Sequence, residues 1–197
     1  MGKLKPNFIV GIGGSAGAFN AYKGLLEALP SNTGMALVII SHMNPAASSQ
    51  LAKLLSKRTE MPVTVAINAM AIFANNVYVI PPDADLSIEN NLLKVTSPRI
   101  KRNTQIDIFF ISLAEFMTTH AIGIVLSGYD GDGAKGCMKI KANGGSTFAQ
   151  DQSAEVNAMP QSAVATGCVD FVLPVDKIAA ELTKMSVRFA KANPRGE

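Results

Sequence analysis

The stretch Phe8-Ile-Val-Gly-Ile-Gly-Gly-Ser-Ala-Gly17 decides the fold. Its apolar start, residues 8–12, reads as a strand, and the glycines around Ser15 make a tight turn. Phe19, Tyr22, Leu25, Leu26 and Leu29 then recur at helical spacing, and Pro30 stops that helix. A strand feeding directly into a helix through glycines is how a chain with a helix-covered parallel sheet begins.

The same alternation continues outward. Residues 35–41 are continuously apolar, as a strand buried on both faces should be, and a helix is expected over about 48–58. Short β-rich runs at 63–66, 77–80, 86–88 and 92–95 are separated by Asn-Asn and Pro-Pro turns. They suggest short strands or a hairpin inserted beside the main sheet. Ile106, Phe109, Phe110, Leu113, Phe116 and Met117 mark a helix, residues 121–127 another buried strand, and about 134–143 a further helix. Strands at 145–149 and 171–173 precede a closing helix with Ile178, Leu182, Met185 and Phe189 on one face. The fold class is therefore α/β: a doubly wound, mostly parallel sheet with helices on both faces and a small inserted β-hairpin region. One domain over residues 1–197 is expected, with its core at about 8–190.

Composition excludes several classes of function. A net charge of +3 is too small to imply nucleic acid, and a chain without Trp offers few stacking platforms. Arg99, Lys101 and Arg102 form the one local basic cluster, a solvated loop or a contact for an acidic partner. No apolar run approaches the roughly 18 residues of a membrane span, and no signal-peptide core follows Met1, so a cytoplasmic protein without direct membrane insertion is expected. Cys137 and Cys168 lack metal-site spacing and nearby histidines; they read as core thiols of a reducing compartment, with no metal expected.

In an open α/β sheet, ligands bind beyond the carboxyl ends of the strands. After the first strand comes Gly13-Gly-Ser15-Ala-Gly17, after the second Ser41-His42-Met-Asn-Pro45, and after the 121–127 strand Gly128-Tyr-Asp130-Gly-Asp132-Gly133. A hydroxyl, an imidazole and a carboxylate thus emerge along one sheet edge, the set that nucleophilic acyl chemistry requires. Each has a blander reading as a turn or capping residue; their coincidence at three strand ends favours catalysis. Gly13-x-Ser15-x-Gly17 also fits a nucleophile elbow, with N–H groups of Ala16 and Gly17 aimed at a developing oxyanion. The same glycines satisfy a dinucleotide fingerprint, Gly11-x-Gly13-x-x-Ala16. That reading wants an acid at the end of the next strand, where this chain has Ser41-His42, and it is demoted. Chain order Ser15, His42, Asp132 excludes the α/β-hydrolase fold, which runs Ser, acid, His.

At these residues the chain resembles the catalytic domain of the chemotaxis receptor protein-glutamate methylesterases, the CheB type. The resemblance runs from about residue 8 to 182 and rests on several segments. Beyond the three strand ends it uses Val77-Tyr-Val-Ile-Pro-Pro-Asp83, Ile106-Asp-Ile-Phe-Phe-Ile-Ser-Leu-Ala-Glu115, Ala158-Met-Pro-Gln-Ser-Ala163 and Thr166-Gly-Cys-Val-Asp170. It implies hydrolysis of glutamate γ-methyl esters on chemoreceptors with release of methanol, sometimes with deamidation of receptor glutamines. It carries over Ser15 as nucleophile, His42 as general base and acid, and Asp132 as orienting carboxylate, with no cofactor. It implies as partner a methylated chemoreceptor, a long acidic coiled coil, or another methyl-accepting signalling protein. It also places Tyr129 near the oxyanion. Two departures stand out: Ala16 follows the nucleophile where many relatives have Thr or Ser, and Tyr129-Asp130 replaces a Met-Gly or Thr-Gly pair. With the first strand starting at Phe8, no phosphorylatable receiver domain is expected ahead of it. The alternatives are a related serine hydrolase acting on another substrate, and a non-catalytic binding module of the same fold.

Overall fold

The computed structural model describes residues 4–42 and 45–193. At its centre β1 (Phe8–Gly14) is buried along its whole length. It pairs in parallel with β2 (Met35–Ser41), from Phe8 opposite Met35 to Gly14 opposite Ser41. On its other side it pairs in parallel with β8 (Ala121–Val125), from Ile9 opposite Ala121 to Gly13 opposite Val125. The sheet grows past β2 through β5 (Asn76–Val79) to β3 (Val63–Val65), and past β8 through β9 (Ser146–Gln150) to β10 (Phe171–Leu173). All six pairings are parallel. Because the sheet builds in both directions from β1, the carboxyl end of β1 is a topological switch point, the place where open α/β sheets bind ligands.

Side chains alternate across the strands and fill two cores. Val10, Ile12, Leu37 and Ile39 pack beneath α1 (Ala18–Ala28), α2 (Pro45–Leu55) and α6 (Val175–Ala192). Ile9, Val38 and Ile40 face α3 (Gln105–Met117), α4 (Ala134–Ala142) and α5 (Ala158–Val164). The doubly wound reading thus matches the architecture.

Several local expectations need correction. The runs at 63–66 and 77–80 are β3 and β5, parallel members of the main sheet rather than parts of an insertion. The insertion is a three-stranded antiparallel sheet of β4 (Met70–Ala71), β6 (Asp85–Glu89) and β7 (Leu92–Thr96), in the order β4-β7-β6. The second helix begins at Pro45 rather than near 48, since Pro suits the first helical position. Phe19, read as part of the buried stripe of α1, is partly exposed.

Glycines explain how α3 comes so close to the sheet. A Cβ at Gly11 would stand 2.7 Å from the Phe110 ring, and one at Gly13 2.5 Å from Ile106. These glycines therefore seat α3, which gives the would-be dinucleotide fingerprint a packing role. The inserted sheet steadies the same helix at two points: Gln105 Nε2 donates to buried Asp85 Oδ1 at 2.8 Å, and Ile88 N–H donates to Ser112 Oγ at 3.1 Å.

Candidate active site

The three strand-end segments meet at the switch point. One step beyond the paired Gly14 and Ser41, Ser15 and His42 leave neighbouring strands, and His42 N–H donates to Gly14 O at 3.3 Å. From the β8 side, Ser127 O accepts the Ser15 N–H at 2.9 Å. Ser127 Oγ donates to Ala16 O at 2.7 Å and accepts the Val156 N–H at 2.9 Å. This buried serine buckles the Ser15 turn to the β8 loop and to the segment before α5. Gly17 caps α1 at φ 72°, and a Cβ there would come within 2.7 Å of Ser127 Oγ. Only glycine fits that turn without strain. Among the described residues, neither the Ala16 nor the Gly17 N–H has an acceptor, and Ser15 Oγ makes no hydrogen bond.

Asp132 is the most tightly held group of the site. Its side chain is fully buried, and Oδ2 lies 2.7 Å from His42 Nε2. Oδ2 also accepts the Ile106 N–H at 2.9 Å, while Oδ1 accepts the N–H groups of Asp107 at 2.8 Å and Gly133 at 2.9 Å. The start of α3 therefore supplies two free amides to a carboxylate, as helix N-termini do. Asp107 returns the contact: its Oδ1 accepts from Gly133 N–H at 3.0 Å and Gly136 N–H at 2.8 Å, fixing the start of α4. Burial raises the Asp107 carboxyl above its ordinary value; the two amides oppose this, and the nearby Asp132 charge adds to it.

His42 is nearly enclosed, with its side chain 7% exposed. Burial alone would depress its pKa and is the largest single influence. The hydrogen bond and charge of Asp132, joined by those of Asp130, outweigh burial and raise it above 6.5. Asp130 is thus not a bystander: its Oδ2 stands 3.2 Å from Nδ1, the ring nitrogen that Asp132 leaves open. The structure brings Asp132 and His42 into contact and Ser15 onto the adjoining turn.

The CheB methylesterase family model matches residues 10–182. The chain belongs to that family. It is by class a hydrolase of carboxylic esters. A Photorhabdus laumondii relative, named protein-glutamate methylesterase/protein-glutamine glutaminase, is 33% identical over 186 residues, covering 91% of this chain and 53% of the relative. A Leptospira interrogans relative, provisionally named for the same two activities, is 36% identical over 172 residues, 85% of this chain and 89% of its own length. The chain thus spans about half of one relative and most of the other. The crystal structure of the Thermotoga maritima CheB methylesterase catalytic domain superposes with a TM-score of 0.82 at 30% identity, over 94% of this chain and 99% of that one.

Other sequence candidates find plainer places. Tyr129, on the same loop as Asp130 and Asp132, is 75% exposed. Arg99 pairs with Asp83 at 3.1 Å, while Lys101 and Arg102 remain exposed on the loop leading into α3. Burial pushes the Cys137 thiol up to about 12, which leaves it no thiolate character. Among the described residues, no cluster of three or more His, Cys, Asp or Glu could hold a metal, and no helix is long and apolar enough to cross a membrane. Sequence reasoning misses Ser127 and Asp107, although both lie inside the segments that carry the family resemblance.

Proposed function

We propose that this chain hydrolyses glutamate γ-methyl esters on methylated chemoreceptors, releasing methanol, with Ser15 as nucleophile, His42 as general base and acid, and Asp132 as orienting carboxylate. The observation that carries the reading is the 2.7 Å contact between His42 Nε2 and the buried Asp132, one strand end away from Ser15.

With Nε2–H committed to Asp132, Nδ1 is the only nitrogen able to act as a base. Ser15 Oγ attacks the ester carbonyl carbon while its proton passes to Nδ1, and Asp132 stabilises the cation formed. The charge on the carbonyl oxygen meets the acceptor-free N–H groups of Ala16 and Gly17. Collapse breaks the bond to the methoxy oxygen, which takes the Nδ1 proton and leaves as methanol. Water then gives a proton to Nδ1 and attacks the acyl-serine; collapse returns that proton to Ser15 Oγ and frees the glutamate side chain. A glutamine side chain enters the same cycle with ammonia leaving, the second activity in the relatives' names.

The chain acts as a single catalytic domain with its core at about 8–190, in the cytoplasm and in chemotaxis signalling. Its free cysteines fit a reducing compartment. The exposed Lys101 and Arg102 offer positive charge to an acidic receptor helix. The test is methanol release from methyl-labelled receptor by wild type and by Ser15→Ala. Release that needs Ser15 supports the reading; no release by wild type, or equal release by the variant, sinks it.

A further inference from the structure

The imidazole of His42 stands between two carboxylates. Asp132 Oδ2 takes Nε2 at 2.7 Å, and Asp130 Oδ2 stands 3.2 Å from Nδ1. Asp130 is not loosely placed, because its Oδ1 accepts the Asp132 N–H at 3.1 Å. Among the described residues, the buried Nδ1 has no aligned hydrogen bond. On a neutral ring with its proton on Nε2, Nδ1 presents a lone pair, which a carboxylate at this distance repels. On a protonated ring the same contact becomes a charge-assisted attraction. Asp130 therefore favours forms of His42 with a proton on Nδ1, which cannot accept one from Ser15, and it stands on the Nδ1 side through which the mechanism above needs Ser15 to be reached.

We propose that Asp130 is a positioning residue that holds this esterase in a proton-loaded resting state by clamping the Nδ1 face of His42. The inference rests on the triad reading above and adds a brake to it. Turnover requires the Nδ1 proton to pass to solvent and the Asp130 carboxylate to give up its contact. Asp130, in place of the glycine of the Met-Gly or Thr-Gly pair, then has a chemical meaning.

Among the described residues, no other charged group acts on the ring in the same way. Asp107 on α3 faces the amides of Gly133 and Gly136. The buried Tyr22 of α1 lies beside Ser41, and Glu155 lies against Gly17. The clamp is thus a property of Asp130 and Asp132 together.

The test compares wild type with Asp130→Asn and Asp130→Ser, both of which keep an oxygen acceptor for the Asp132 N–H. Two readouts are needed: kcat/KM against pH for methanol release, and titration of the His42 ring by nitrogen-15 NMR in the free protein. Removing an opposite charge next to the ring should move the His42 titration and the acid limb of the rate profile to lower pH. On that limb the variants should run about three- to tenfold faster than wild type, a gain that shrinks toward alkaline pH, where the wild-type ring is already neutral. An unmoved His42 titration in both variants overturns the clamp, as does a rate loss of equal size at every pH. A wild type that releases no methanol refutes the proposed function instead, and the NMR titration still decides the clamp.

Discussion

Replacing Asp132 with Asn should damage both the fold and the chemistry. The carboxylate accepts four contacts, two on each oxygen: the N–H groups of Asp107 and Gly133 on Oδ1, and the Ile106 N–H and His42 Nε2 on Oδ2. A carboxamide has one acceptor oxygen and one NH₂. If the NH₂ faces Asp107 and Gly133, it meets two donors. If it faces Ile106 and His42, it meets one donor and forces Nε2 to present a lone pair. The second arrangement conflicts least, and it moves the imidazole proton to Nδ1, where Asp130 Oδ2 waits 3.2 Å away. That tautomer cannot take a proton from Ser15. An unsatisfied buried N–H and a lost charge-assisted bond should cost about 2–4 kcal/mol of stability. For a chain of this length that corresponds to a fall in Tm of roughly 5–15 °C. Turnover, measured well below the transition, should drop by about 10²–10⁴-fold, the upper end being the loss of about 10⁴ seen when the acid of a serine protease triad is replaced by its amide. Thermal melts and methanol-release kinetics on one preparation check both numbers. A variant within about 2 °C and tenfold of wild type would refute the claim that this carboxylate orients the base.

Further outcomes follow from the same geometry. Ser15→Ala should change stability by no more than about 1 kcal/mol yet lose methanol release by at least about a thousandfold, read by denaturant titration and kinetics. Gly17→Ala forces a left-handed backbone and a Cβ 2.7 Å from Ser127 Oγ, so it should lose about 1–2 kcal/mol of stability together with much of its activity, again by melts and kinetics. The raised His42 pKa sets opposite trends: its stabilisation is full below 6.5 and is lost as pH rises through the folded-state value. Activity needs the neutral ring and should rise over that same window; melts and rates measured across it test both signs.

The central strands are legible because burial on both faces writes itself as unbroken apolar runs, as in residues 35–40 of β2. The end of β1 is harder to place, since Gly13 and Gly14 continue the ladder where apolar side chains stop. The short strands β3 and β5 look like hairpin pieces because three or four residues carry little periodicity, and Asn-Asn and Pro-Pro pairs adjoin β5. Helix α5 escapes a reading by periodicity because it is seven residues long with Pro160 in its first turn, a position where a missing N–H does no harm. At the site, strand-end logic finds Ser15, His42 and Asp132. It assigns Asp130 no role, whereas loop geometry sets its carboxylate against Nδ1. Which ring nitrogen meets which carboxylate depends on the turn between Gly128 and Gly133, and residue types alone do not encode that orientation.

The central claim, that Ser15 is the nucleophile activated by His42, is tested most directly by labelling with a fluorophosphonate ester and locating the adduct by mass spectrometry. A single adduct on the Ser15 peptide is expected, faster as pH rises through the His42 titration and absent in Ser15→Ala. An adduct on another residue, or an unlabelled Ser15 at a pH where the protein releases methanol, would contradict it.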